Sequence, residues 1–260
     1  MNKWLLVLII IIAVIVVGSI FKDLIIRTAV SGGVQAVTGL KLEMRGLHVG
    51  LSSVGIKDLK LFNPAGYPDK IMVDMPEFYV SYDLLGFLSG KAHIKALKLN
   101  LSEFVIIKNQ NGELNINSLK VVKAQKEAQA APGKKKAKAP EINIDRLDLK
   151  IGKVVYKDYS RGTPPKVQEY NLKLDEHYEN ITDLYSLGSL IIVKALMSTG
   201  LASVTGFDLG PLSSSVSSIT TTAFGTANQA VNVGTGVAET AAETAKETAE
   251  TLKRILPFGK

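Results

Sequence analysis

From Leu40 to Leu174 large apolar residues fall at every second position in run after run, and that period of two commits most of the chain to β-sheet. Leu40, Leu42 and Met44 alternate with polar side chains, and Leu47, Val49 and Leu51 do so in the opposite phase. The slip between the two sets, at Arg45-Gly46, predicts a bulge or bend. The pattern returns at Ile71, Val73 and Met75; at Phe78, Val80 and Tyr82; at Leu97, Leu99 and Leu101; at Leu147, Leu149 and Ile151; and at Tyr170, Leu172 and Leu174. Antiparallel strands with one apolar and one hydrated face produce this alternation. The sequence Ile-x-x-Leu-x-Leu occurs at Ile56 to Leu61, Ile94 to Leu99 and Ile144 to Leu149, so one strand unit is reused. The uneven spacing of the copies argues against a strict solenoid. Turns are expected at Asn63-Pro64-Ala65-Gly66-Tyr67 and at Asn109-Gln110-Asn111-Gly112, where Asn, Pro and Gly supply the backbone angles.

The rest of the chain frames this sheet. No charge interrupts Trp4 to Phe21 between Lys3 and Lys22, and at about 1.5 Å per residue such a run approaches the roughly 30 Å of a bilayer core. Val17-Gly18-Ser19 makes a poor cleavage site, so an uncleaved transmembrane helix is expected. Lys3 on one side and Lys22 and Arg27 on the other leave its orientation unset by charge. The helical spacing continues to Val37 and stops at Thr38-Gly39. Residues 1–38 therefore read as anchor and helical extension, and 39–205 as a β-rich domain with a mobile insertion at 122–140. Within that domain Leu184 to Met197 is apolar enough to suggest a second span. Lys194 argues instead for a helix packed on the sheet, because a mid-bilayer lysine costs on the order of 3 kcal/mol. Residues 206–260 form a Ser/Thr/Gly/Ala-rich segment, irregular through Gly236 and then helical, with Glu239-Thr240-Ala241 repeating every four residues. The fold class is thus α+β: a transmembrane helix, a curved and mostly antiparallel sheet, a packed helix and a helical low-complexity tail.

Charge and motifs exclude several functions. The 31 Lys and Arg against 24 Asp and Glu leave +7, but much of the excess is Lys134, Lys135, Lys136 and Lys138 with no aromatic residue interleaved, which fits a solvated linker and not a nucleic-acid surface. Cysteine is absent. His48, His93 and His177 have no second ligand at metal spacing, and Asp175-Glu176-His177 is no triad without a serine in a nucleophile elbow. Gly234-Thr235-Gly236 lacks the third glycine and the strand of a dinucleotide loop. No catalytic residue, cofactor, metal or small-molecule substrate is expected.

In its strands and turns the chain resembles the AsmA-like family of bacterial envelope proteins. The likeness is carried by the apolar run followed by Val37-Thr38-Gly39-Leu40, by Gly55 to Tyr67, by Leu84 to Lys95, by Asn111-Gly112-Glu113-Leu114-Asn115 with Leu119, and by Leu149 to Asp158. It covers about the first two thirds of the chain and leaves out the alanine and threonine tail. The resemblance implies a single-pass protein of the inner membrane with its bulk in the periplasm, related to the start of long β-groove proteins that carry phospholipid toward the outer membrane. Membrane lipid and envelope proteins are the implied partners. The face to shelter acyl chains would be carried by Leu59, Leu61, Val80, Leu97, Leu99, Leu147 and Leu149, with Asn63, Pro64, Gly66 and Tyr67 as a structural turn. About ten strands at about 4.8 Å each would make a groove of roughly 50 Å. Two alternatives fit the same alternation: an envelope interaction module whose apolar face is only a closed core, and a stress-related β-sandwich like the water-stress domains of late-embryogenesis proteins.

Overall fold

The computed structural model describes residues 23–130, 141–217 and 219–221. Helix α1 occupies 23–38, and Gly39, at φ +72°, ends it by adopting the left-handed conformation while its N–H donates to the Gln35 carbonyl. One sheet of seven strands follows, in sequence order: β1 (Leu42–Val49), β2 (Ser53–Phe62), β3 (Ile71–Tyr82), β4 (His93–Lys108), β5 (Glu141–Asp158), β6 (Lys166–Asp183) and the short β7 (Thr220–Thr221). The bulge expected at Arg45-Gly46 is present as two register shifts around Arg45.

Among the described residues the strands number seven and not about ten, and β4, β5 and β6 are long, at 16, 18 and 18 residues. In addition, β1 and β3 each join two runs that the alternation separates, 40–44 with 47–51 and 71–75 with 78–82. At about 4.8 Å between strands the sheet is about 30 Å across, well short of the width expected from sequence.

Five of the strand pairings are antiparallel, and β4 with β5 is parallel. That pairing sets two copies of the repeat side by side: Ile94 opposite Ile144, Leu97 opposite Leu147, Leu99 opposite Leu149. A parallel neighbour requires the chain to return along the full strand length, and a crossover of a dozen residues or more is the usual means. Here it passes through a 3-10 turn (Asn115–Ser118) and helix α3 (Lys120–Ala130). The segment 122–140 was expected to be a mobile insertion, but 122–130 is helix. Val121 and Val122 at its start are buried in the core, and that burial is what fixes it. Residues 131–140 lie outside the described residues, as do the apolar run from Trp4 to Phe21 and the tail beyond 221.

The β4 and β5 backbones approach closely at Gly152, where a Cβ would sit 2.8 Å from the Ser102 carbonyl oxygen. Backbone in a central strand has little room to yield. Gly152→Ala is therefore expected to destabilise the fold by about 2 kcal/mol, read as an earlier urea midpoint for the detergent-solubilised chain.

Helices cover the apolar face. The helix expected in the apolar stretch Leu184 to Met197 is α4 (Leu184–Thr199), capped by Asp183, whose carboxylate accepts from the Ser186 N–H at 2.8 Å. Lys194 projects from it to Glu176 of β6 at 2.7 Å and lies over the Tyr178 ring, so the one charge in this apolar helix is neutralised by the sheet. After α5 (Leu201–Thr205), helix α6 (Gly210–Val216) buries Leu212 and Val216 among α3 and α4, and Phe207 is buried with them. The packed body thus extends past residue 205 into the segment expected to be irregular.

Candidate functional site: an apolar cleft between helix α1 and the sheet

The helical layer seals one half of the sheet more tightly than the other. On β5, Ile144, Leu147, Leu149, Ile151 and Val154 have no exposed surface, and α4 packs against β5 and β6. Toward β1 and the later part of β3 the apolar side chains are only partly covered, among them Met44, Leu47, Phe78, Val80 and Ile94. Helix α1 lies over that half. Its Val37 packs against Gly188 of α4, where a Cβ would meet a Val37 methyl at 2.7 Å, so the glycine lets the two helices close at that end.

What remains between α1, α4 and the sheet is a cleft of about 390 Å³, partly open to solvent. Ile26, Val30 and Val34 line it from α1, Leu59 and Leu61 from β2, Met75 and Val80 from β3, Leu97 and Leu99 from β4, and Leu187 and Ile191 from α4. Nearly every lining group is hydrocarbon; Thr38, Tyr82 and His93 are the polar side chains on its wall. The size falls in the range of small-molecule and cofactor pockets, about 300–1,000 Å³. A wall this apolar offers a guest burial of hydrocarbon and almost no directed hydrogen bonds.

Of the seven residues expected to form an apolar groove, Leu59, Leu61, Val80, Leu97 and Leu99 line the cleft. Leu147 and Leu149 do not; they are in the closed core of β5. The contribution of α1 and α4 to the wall was not anticipated. The signal for it was present in Ile26, Val30, Val34 and Val37, spaced as one helical face.

The expected turn at Asn63, Pro64, Gly66 and Tyr67 is tied to a residue 52 positions away. Asn115, fully buried, donates from Nδ2 to Asn63 Oδ1 at 2.8 Å and to the Val105 carbonyl at 2.9 Å, and its Oδ1 accepts from the Ile107 N–H at 3.0 Å. Asn63 in turn donates to the Asp69 and Ile71 carbonyls. On the face of β4 away from the cleft, Tyr67 packs with Val105, Ile107 and Tyr159 in a small second cluster. This region holds the loop and the 3-10 turn in place, and it is distant from the cleft opening along β4.

Two of the three histidines, His93 and His177, are paired with carboxylates. His93 Nε2 lies 2.8 Å from Asp145, with Asp83 3.8 Å from its other nitrogen, and His177 Nδ1 lies 2.7 Å from Asp148. Among the described residues no group of three His, Asp or Glu side chains is placed to hold a metal. Burial pushes the Asp148 carboxyl up, but hydrogen bonds from Arg146 and His177 outweigh it and hold the group below its ordinary value. A carboxyl depressed on folding adds stability above its unfolded value near about 3.9, and that stability is lost as pH falls through the folded value. Acid unfolding followed below about pH 4 should therefore weaken the native chain more steeply than Asp148→Asn, in which this linkage is gone.

Fold and cleft together define a two-layer α+β protein with an apolar cleft between its helical layer and the sheet. The AsmA family model matches residues 3–250, and the chain belongs to the AsmA family. The match takes in the Ala- and Thr-rich tail through residue 250, beyond the two thirds over which individual motifs carry the likeness. Comparison with curated proteins and with solved structures found no match. The family is associated with the bacterial envelope.

Proposed function

We propose that this chain is a non-catalytic AsmA protein, held in the inner membrane by the run from Trp4 to Phe21 with its body in the periplasm, and that it supports lipid transport or outer-membrane assembly by sheltering acyl chain in the cleft beneath α1. The cleft wall carries the reading. A hydrocarbon-lined space of about 390 Å³, partly open on one side, suits an alkyl chain, which gains about 0.8 kcal/mol per buried CH₂ and asks for no polar partner. A polar substrate would leave its hydrogen bonds unmet there. Among the described residues no helix is long and apolar enough to cross a membrane, so anchoring rests on the sequence of the N-terminal run alone.

With seven strands about 30 Å across, a single body is too small to bridge two membranes, and a further envelope protein would have to receive what it holds. Mass spectrometry of the chain purified in a lipid-free detergent tests the proposal. Phospholipid at a fixed ratio to protein is the expected result. A folded sample consistently free of lipid would favour the interaction module, in which the helices merely close a core.

A further inference from the structure

Seven large apolar side chains are exposed among the described residues, and Val167, Met197 and Val204 are each less exposed than the two that matter here. The two most exposed large ones are Leu51, at 82 %, in the turn from β1 to β2, and Leu85, at 77 %, in the short helix α2 (Leu84–Leu88) that connects β3 to β4. These connections lie at the same end of the sheet, since Ser53 pairs with Ser81 and Tyr82 with Ile94. Tyr82 joins them directly: its N–H donates to the Ser52 carbonyl and its hydroxyl to the Leu51 carbonyl at 3.1 Å.

Arg27 of α1 donates to the Met44 carbonyl of β1 at 3.1 Å. Leu24 and Ile25, 60 % and 64 % exposed, lie just before it at the start of α1. Two residues before Leu24 the chain leaves the uncharged run that ends at Phe21.

We propose that this rim, with Leu51 and Leu85 as its two projecting tips, is seated in the interfacial layer of a lipid bilayer, the one that the run from Trp4 to Phe21 crosses. The inference rests on the membrane reading above and adds which end of the body meets the lipid. Isolated leucines on separate turns, with exposed Lys91 close by in sequence to stay at headgroup level, suit a fluid apolar layer, where each tip gains by burial without a shaped partner surface. The cleft wall is least covered toward this rim, where Phe78, Val80, Tyr82 and Ile94 are half-buried, whereas Leu61, Met72 and Phe104 at the other end are buried. Seating the rim puts the cleft within reach of acyl chains without passage through water.

The chain has no cysteine, so single labels are available without a background change. Leu51→Cys, Leu85→Cys and, in the turn at the opposite end, Ala65→Cys each carry an environment-sensitive fluorophore on the full chain reconstituted in phospholipid vesicles. All three positions are exposed, and far-UV circular dichroism confirms the fold. Labels at 51 and 85 are expected to emit at shorter wavelength and to lose intensity when the vesicles contain lipids with a quencher on the acyl chain, while the label at 65 does neither. Equal, unquenched emission at all three sites overturns the proposal and leaves the cleft reading standing. A shift at 51 and 85 without quenching also overturns it, because it reports a second copy of the chain on the rim. A labelled chain that does not float with the vesicles overturns both this proposal and the membrane anchor. Quenching at the rim in a chain that copurifies no phospholipid upholds the seating and removes the cleft reading alone.

Discussion

Asn115→Leu is expected to lower the stability of the chain by about 4 kcal/mol, because it strands the Ile107 N–H and the Val105 carbonyl in a dry interior at about 1–3 kcal/mol each and adds the loss of the Asn63 contact. The leucine is close in size, so neither overpacking nor a large cavity explains the loss. For a body of this length the change corresponds to a melting temperature about 10 °C lower, followed by circular dichroism on the solubilised chain. Asn63→Ala should cost much less. Asn63 is only half-buried, and water can replace part of what it donates to Asp69 and Ile71. Equal effects at the two positions would show that Asn115 is not the centre of the network.

Val80→Asp is expected to empty the cleft while leaving the fold intact. Val80 stands between Val54 and Leu97 on neighbouring strands, lines the cleft and is only half-buried, so a carboxylate there keeps some access to water when the cleft is free. An acyl chain in the cleft removes that access. An unpartnered charge enclosed in this way costs several kcal/mol, and a penalty of roughly 3 kcal/mol lowers occupancy by about a hundredfold. Phospholipid per mole of purified protein should fall accordingly, with the far-UV spectrum unchanged, and Val80→Leu should retain it. Undiminished lipid in Val80→Asp would place any bound lipid elsewhere on the molecule.

Period-two alternation located β1 through β6 and the bulge at Arg45-Gly46, because side chains on a strand face alternate sides whatever the neighbours are. It could not say which strands are partners. The parallel pairing of β4 with β5 depends on α3, and the segment containing α3 shows Ala, Lys and Gln with only Val121 and Val122 as core contacts. In α6 the apolar positions Leu212 and Val216 are one helical turn apart, a signal diluted by the serines between them. Lys194 was the useful residue in the opposite sense: a charge inside an apolar stretch marked α4 as packed on the sheet, and Glu176 supplies the partner that allows it.

The cleft was legible only in part, for the same reason. Leu97 and Leu147 occupy equivalent places in the repeat and are direct neighbours across the parallel pair, yet one lines the cleft and the other is in closed core. Nothing in their own strands distinguishes them. The difference is made by the helices lying over them, α1 on one half of the sheet and α4 on the other.

A photoactivatable phospholipid with its reactive group on the acyl chain, crosslinked to the full chain in vesicles and mapped by peptide mass spectrometry, tests the cleft most directly. Adducts are expected on lining residues such as Met72, Met75 and Ile191. Adducts confined to the N-terminal run and the outer surface, with the cleft residues unmodified, would contradict the account.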